Sequence, residues 1–118
     1  MAITIYHNPR CSKSRKTLEL IENAGVEPEI VLYLRDTPGR DDILAVARVL
    51  GMPVADLLRR GESEYKEADD LPDLDDDRAL AAWISAHPAT LQRPIVVNRG
   101  SGSAVIGRPP ENVLALLD

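Results

Sequence analysis

Ile3–Arg15, ITIYHNPRCSKSR, constrains the fold more than any other stretch of the chain. Ile3-Thr4-Ile5-Tyr6 alternates β-branched and aromatic residues, which suits a short strand. Asn8-Pro9 breaks that strand, because Pro lacks an N–H and restricts the residue before it. From Ser12 to Ala24 the run SKSRKTLELIENA carries no Gly or Pro and spaces Leu18 and Ile21 three apart, which predicts a helix. The only cysteine, Cys11, therefore falls where a helix begins.

That position has chemical consequences. The first N–H groups of a helix lack internal partners, and the helix dipole adds partial positive charge there. Both effects favour a thiolate or a bound oxyanion. Arg10, Lys13 and Arg15 lie close in sequence and are expected to lower the thiol pKa further. Ser12 and Ser14 offer hydroxyl donors, and His7, just before the loop, offers a charge or a proton. The stretch reads as a nucleophilic thiolate beside an anion cradle. The competing reading is an inert cysteine at a strand–helix junction, since free Cys is often buried. The polar, cationic setting argues against it.

The rest of the chain bounds the fold class. At 118 residues it has room for one domain with one core, and we read residues 1–118 as that single domain. Phe is absent and Trp83 is the only Trp, so the core must come from Leu, Ile, Val and Ala. A net charge of −5 disfavours general nucleic-acid binding. No apolar run approaches the roughly 20 residues that cross a bilayer, and no signal-peptide pattern opens the chain. One cysteine cannot make an internal disulfide, which points to a reducing, cytoplasmic compartment.

Gly25 should end the first helix, and Glu29–Tyr33 reads as a second strand, giving a parallel βαβ unit. Asp41 or Asp42 is expected to cap a helix whose face is Ile43, Val46, Ala47 and Leu50, ended by Gly51. Pro53 suits the start of a short helix with Val54, Leu57 and Leu58 inward and Arg59-Arg60-Gly61 at its end. Glu62–Asp77 is acidic, with a helical turn around Tyr65; it has no metal-ligand spacing, so we read no metal site there. Leu80, Trp83, Ile84 and His87 share one face of a further helix, which makes His87 structural. Ile95-Val96-Val97 and Ala104–Gly107 form a hairpin across Asn98–Ser103, and Glu111–Leu117 closes the chain as a helix with Val113, Leu114 and Leu117 inward. A Pro placed like Pro94, directly before a strand, can be cis. The order predicts an α/β, thioredoxin-like fold: a small mixed four-stranded sheet, βαβ plus ββα, with a helical insertion over about 41–87.

Four stretches also resemble a known family. His7-Asn8-Pro9-Arg10-Cys11-Ser12-Lys13-Ser14-Arg15, Leu57-Leu58-Arg59, Arg93-Pro94-Ile95-Val96-Val97 and Gly107-Arg108-Pro109 resemble the ArsC-type arsenate reductases that work with glutathione and glutaredoxin. The resemblance covers nearly the whole chain, with the motifs in the family's order. It implies Cys11 as the nucleophile that attacks arsenate. It implies Arg59, Arg93 and Arg108 as the oxyanion ligands, a cis peptide before Pro94, and roles for His7 and Ser14 in tuning the sulfur. It implies no bound cofactor, glutathione as co-substrate and glutaredoxin as partner. Arginine forks suit a tetrahedral oxyanion on physical grounds alone. A chain with one cysteine also needs an external thiol to turn over. Two other readings compete: a glutathione-linked thiol oxidoreductase acting on another oxyanion or thiol, and a regulatory module like the Spx-type transcription regulators. Many of the latter carry a Cys-x-x-Cys switch, which Ser14 rules out here.

Overall fold

The computed structural model describes residues 2–117. They form two compact units: one runs to Asp36 and resumes at Arg93, and the other is Thr37–Gln92.

The first unit is built on a four-stranded sheet in the order β2-β1-β3-β4. Its strands are β1 (Ile3–His7), β2 (Glu29–Leu32), β3 (Ile95–Asn98) and β4 (Ser103–Ile106). β1 pairs parallel to β2 and antiparallel to β3, and β3 pairs antiparallel to β4. This is the expected thioredoxin-like βαβ plus ββα arrangement. Helix α1 (Ser12–Asn23) makes the crossover between β1 and β2. Gly25 follows it with φ 80°, a left-handed conformation that glycine adopts without strain.

β1 and β3 are buried at every position, so both faces of the central strands are covered. Ile3, Ile5 and Val96 pack with Ile21 of α1 and with Val113 and Leu116 of the closing segment. That segment, Pro110–Leu116, is a 3₁₀ helix rather than an α-helix. Three residues per turn put Val113 and Leu116 on one inward face. Leu114, expected inside, is 45% exposed, while Leu117 packs only partly buried against the core.

Gly107 marks a close approach. A Cβ there would sit 2.6 Å from Thr17 Oγ1 and 2.8 Å from Pro94 Cγ. Thr17 is fully buried and its hydroxyl donates to the Lys13 carbonyl, so it has nowhere to retreat. Gly107→Ala should therefore lower stability by about 1–3 kcal/mol through overpacking, read as a lower urea midpoint. Gly61→Ala, with open space around the added methyl, should leave the midpoint unchanged.

The second unit contains α2 (Arg40–Leu50), a 3₁₀ turn at Val54–Leu57, α3 (Ser63–Lys66), α4 (Asp77–Ala86) and a 3₁₀ turn at Pro88–Thr90. Gly39, not an Asp, occupies the cap position of α2; Asp42 instead accepts the Gly39 N–H at 3.2 Å. Asp76 caps α4 by accepting from Ala79 N–H. Ile43, Val46, Ala47, Leu80, Trp83 and Ile84 are buried. His87 stacks on Trp83 with centroids 4.2 Å apart, in keeping with a structural role.

Candidate active site

The strand registers decide what meets at one end of the sheet. Tyr6 stands opposite Ile95, and Ile95 opposite Ile106. The loop after β1, the residues before β3 and the residues after β4 therefore share that end. Arg93, Cys11 and Arg108 are far apart in sequence and are gathered by this pairing.

Cys11 caps α1 with an extended backbone, φ −92° and ψ 121°. Its own N–H donates to the Asn8 carbonyl at 3.0 Å, and its carbonyl accepts from Arg15 N–H at 3.0 Å. Asn8 Oδ1 accepts the Arg10 N–H at 3.0 Å, closing a tight Asn-Pro-Arg loop. Cys11 is half-buried. Burial pushes the thiol pKa up, but the N–H groups of Ser14 and Lys13 and the hydrogen bond and charge of Arg93 outweigh it, and the net shift is downward. The helix N-terminus thus acts through aimed N–H donors, as anticipated.

The source of the positive charge differs from the sequence expectation. The cation acting on the sulfur is Arg93, not Arg10, Lys13 or Arg15. Arg10 and Lys13 are exposed, and Arg15 turns its Nη1 to the Pro9 carbonyl at 2.9 Å. Side chains fan outward from a helix start, so sequence neighbours of a residue do not share its direction. Ser12 is also exposed.

Ser14 is fully buried, and its hydroxyl serves the loop rather than the sulfur. It lies 2.6 Å from His7 Nδ1 and accepts Asn8 N–H at 3.1 Å. His7 supplies no charge at neutral pH. Burial and then the Arg15 charge lower its pKa, with a smaller opposing effect from Glu22. This predicts a pH dependence of stability. The unfolded chain takes up a proton near pH 6.5 and the folded chain resists it, so the unfolded state binds more protons there. Stability should fall as pH drops through 6.5, and the slope of urea midpoint against pH should flatten in His7→Gln.

The Arg93–Pro94 peptide is cis, as the resemblance implies, and so is Arg108–Pro109, which the sequence reading missed. Gly107 N–H donates to the Pro94 carbonyl at 2.9 Å. Arg108 Nη1 donates to the Arg93 carbonyl at 3.3 Å, so the two arginines meet at the open end of the hairpin.

Arg59 belongs to the second unit. It does not sit at the end of a short helix, contrary to the expectation for Arg59-Arg60-Gly61. The 3₁₀ turn stops at Leu57, Leu58 is extended and bridges to Leu91, and Arg59 N–H then donates to the Thr90 carbonyl at 2.6 Å. Its Nε pairs with Glu62 Oε1 at 3.5 Å.

The family comparison meets this geometry directly. The model of the ArsC family matches residues 6–116. The chain belongs to the ArsC family. An arsenate reductase of Haemophilus influenzae is 43% identical over 118 residues, covering 99% of this chain and 100% of that one. Another from Neisseria meningitidis serogroup A is 44% identical, covering 98% of this chain and 97% of that one. The solved arsenate reductase from Vibrio cholerae is 42% identical with a TM-score of 0.86, covering 98% of this chain and 97% of that chain. The ArsC match spans all four motifs read from the sequence.

Proposed function

We propose that this protein is a glutathione- and glutaredoxin-dependent arsenate reductase. The observation that carries the reading is one cysteine sulfur held by two helix N–H groups and the Arg93 guanidinium, in a chain related to arsenate reductases. A lowered thiol pKa and a guanidinium at the same atom suit a nucleophile whose substrate is an oxyanion.

In this mechanism the Cys11 thiolate attacks arsenic, and an oxygen leaves as water once protonated. Arg93 and Arg108 neutralise the remaining oxygens. The thiolate of glutathione then attacks the Cys11 sulfur. The S–S bond forms, the S–As bond breaks, and its electron pair stays on arsenic, which leaves as arsenite. A glutaredoxin thiol attacks the glutathione sulfur of the mixed disulfide and frees the Cys11 thiolate. His7, Asn8 and Ser14 hold the loop, Ser12 and Arg15 border it, and cis-Pro94 sets the approach of Arg93. Arg59 is carried as the third oxyanion ligand on its Leu57-Leu58-Arg59 motif alone.

The test is a coupled assay with arsenate, glutathione, glutaredoxin and NADPH-linked recycling. Arsenate-dependent NADPH oxidation is the expected result; a rate unchanged by omitting arsenate would reject the substrate. Arg108→Ala and Arg59→Ala should each lower kcat/KM for arsenate by about 1.5–3 kcal/mol, the value of a charged hydrogen bond.

A further inference from the structure

A groove of about 270 Å³ lies beside the Cys11 loop, lined by His7–Arg10 and by Leu32, Leu34 and Arg35. We infer that this groove seats the thiol co-substrate, a short thiol peptide with two carboxylates of the glutathione kind, held between Arg10 and Arg35. The inference rests on the proposed function for its chemistry and adds the place from which the reductant arrives.

Topology supplies the first argument. β1 lies between β2 and β3, and His7 pairs with Leu32 while Tyr6 pairs with Ile95. The loop that carries Cys11 therefore has the β3–β4 end on one side and the β2 end on the other. Arg93 and Arg108 come from the first side, and the groove opens on the second. A thiolate that displaces arsenic from sulfur must approach opposite the S–As bond. An oxyanion on the arginine side thus requires the thiol on the β2 side.

Chemistry supplies the second. Pro9, Leu32 and Leu34 make part of the groove lining apolar, and Leu34 is 47% exposed. The turn that closes β2 is fixed by Arg35 N–H and Asp36 N–H on the Leu32 carbonyl, at 2.9 and 2.8 Å. It therefore presents Leu34 and Arg35 from a defined backbone. Arg10 and Arg35 are both exposed, and neither makes an ion pair among the described residues. Two such arginines lining one partly apolar groove, in a chain of net charge −5, match a ligand with carboxylates at both ends and a thiol between them.

The test does not need arsenate. Cys11 exchanges with a disulfide to give a mixed disulfide and one released thiolate, followed by intact-mass measurement. The full chain is treated in parallel with oxidised glutathione and with neutral bis(2-hydroxyethyl) disulfide, and the ratio of the two rates is taken. That ratio cancels differences in thiolate fraction. Arg35→Glu, and separately Arg10→Glu, should each lower the ratio about fivefold, as expected for losing an exposed charge pair and gaining a repulsion. In the coupled assay the same variants should raise KM for glutathione by a similar factor. Unchanged ratios in both variants would overturn the inference. A changed KM for glutaredoxin with an unchanged ratio would also overturn it and make the groove a protein-docking face. Arsenate-independent turnover with an altered ratio would reject the proposed function and leave the groove standing.

Discussion

Cys11→Ser is expected to reduce arsenate no faster than a reaction without protein. A serine hydroxyl stays protonated where the helix N–H groups and Arg93 lower the pKa of the thiol. Oxygen also cannot form the mixed disulfide of the proposed mechanism, so no residual turnover is expected by a slower route. The variant should nonetheless fold well. Cys11 occupies the cap position of α1 and makes no side-chain cap hydrogen bond, whereas serine favours that position. The urea midpoint should hold or rise slightly while NADPH oxidation falls to background. Equal rates in Cys11→Ser and the parent would remove the nucleophile from the mechanism.

Arg93→Ala carries the second large effect, and it has two parts that separate experimentally. The first is on the sulfur. Burial raises the thiol pKa, the Ser14 and Lys13 N–H groups lower it, and Arg93 adds to the lowering through a hydrogen bond and its charge. Removing Arg93 leaves the main-chain donors in place, so the pKa should rise only part of the way towards the usual value of about 8.5. Iodoacetamide alkylation followed against pH reads this directly: the parent stays fast well below that value, and the variant's profile moves up. The second part is on the substrate. Loss of a charged donor to the oxyanion should cost about 1.5–3 kcal/mol in kcat/KM, roughly ten- to a hundredfold. Arg93→Lys should restore most of the alkylation profile but not the kinetics, because an ammonium lacks the planar fork. An unshifted profile together with unchanged kinetics would sever Arg93 from the site.

Much of this arrangement is legible in the sequence where local chemistry decides it. ITIYHNPRC predicts a strand, a break and a helix start, and β1, the Asn8 loop and α1 follow. The hairpin and the cis bond before Pro94 are equally local in origin. What escapes is direction across the sheet. Arg10, Lys13 and Arg15 are the cations nearest to Cys11 in the chain, yet the one that reaches its sulfur comes from the far side of the pairing between β1 and β3. His7 is read from the sequence as a source of charge or a proton, but β1 is buried at every position and burial lowers the His7 pKa. The closing helix fails for a related reason. Apolar residues at 113, 114 and 117 fit an α-helix, and only the tighter 3₁₀ winding sends Leu114 outward. Arg59 follows Leu58 out of a short turn into an extended bridge that spacing alone does not reveal.

The register of β1 against β3 has an evolutionary corollary. The cysteine sulfur and the guanidinium that lowers its pKa both belong to the unit interrupted at Asp36 and resumed at Arg93, so their meeting is encoded by backbone pairing rather than by the intervening chain. Descendants of this sequence are free to lengthen or shorten residues 37–92 away from Arg59 while Cys11 keeps its lowered pKa. A single residue gained between Pro94 and Ile95 would move Arg93 away from the sulfur, because the arginine is placed by its distance along the chain from the start of the β3 ladder.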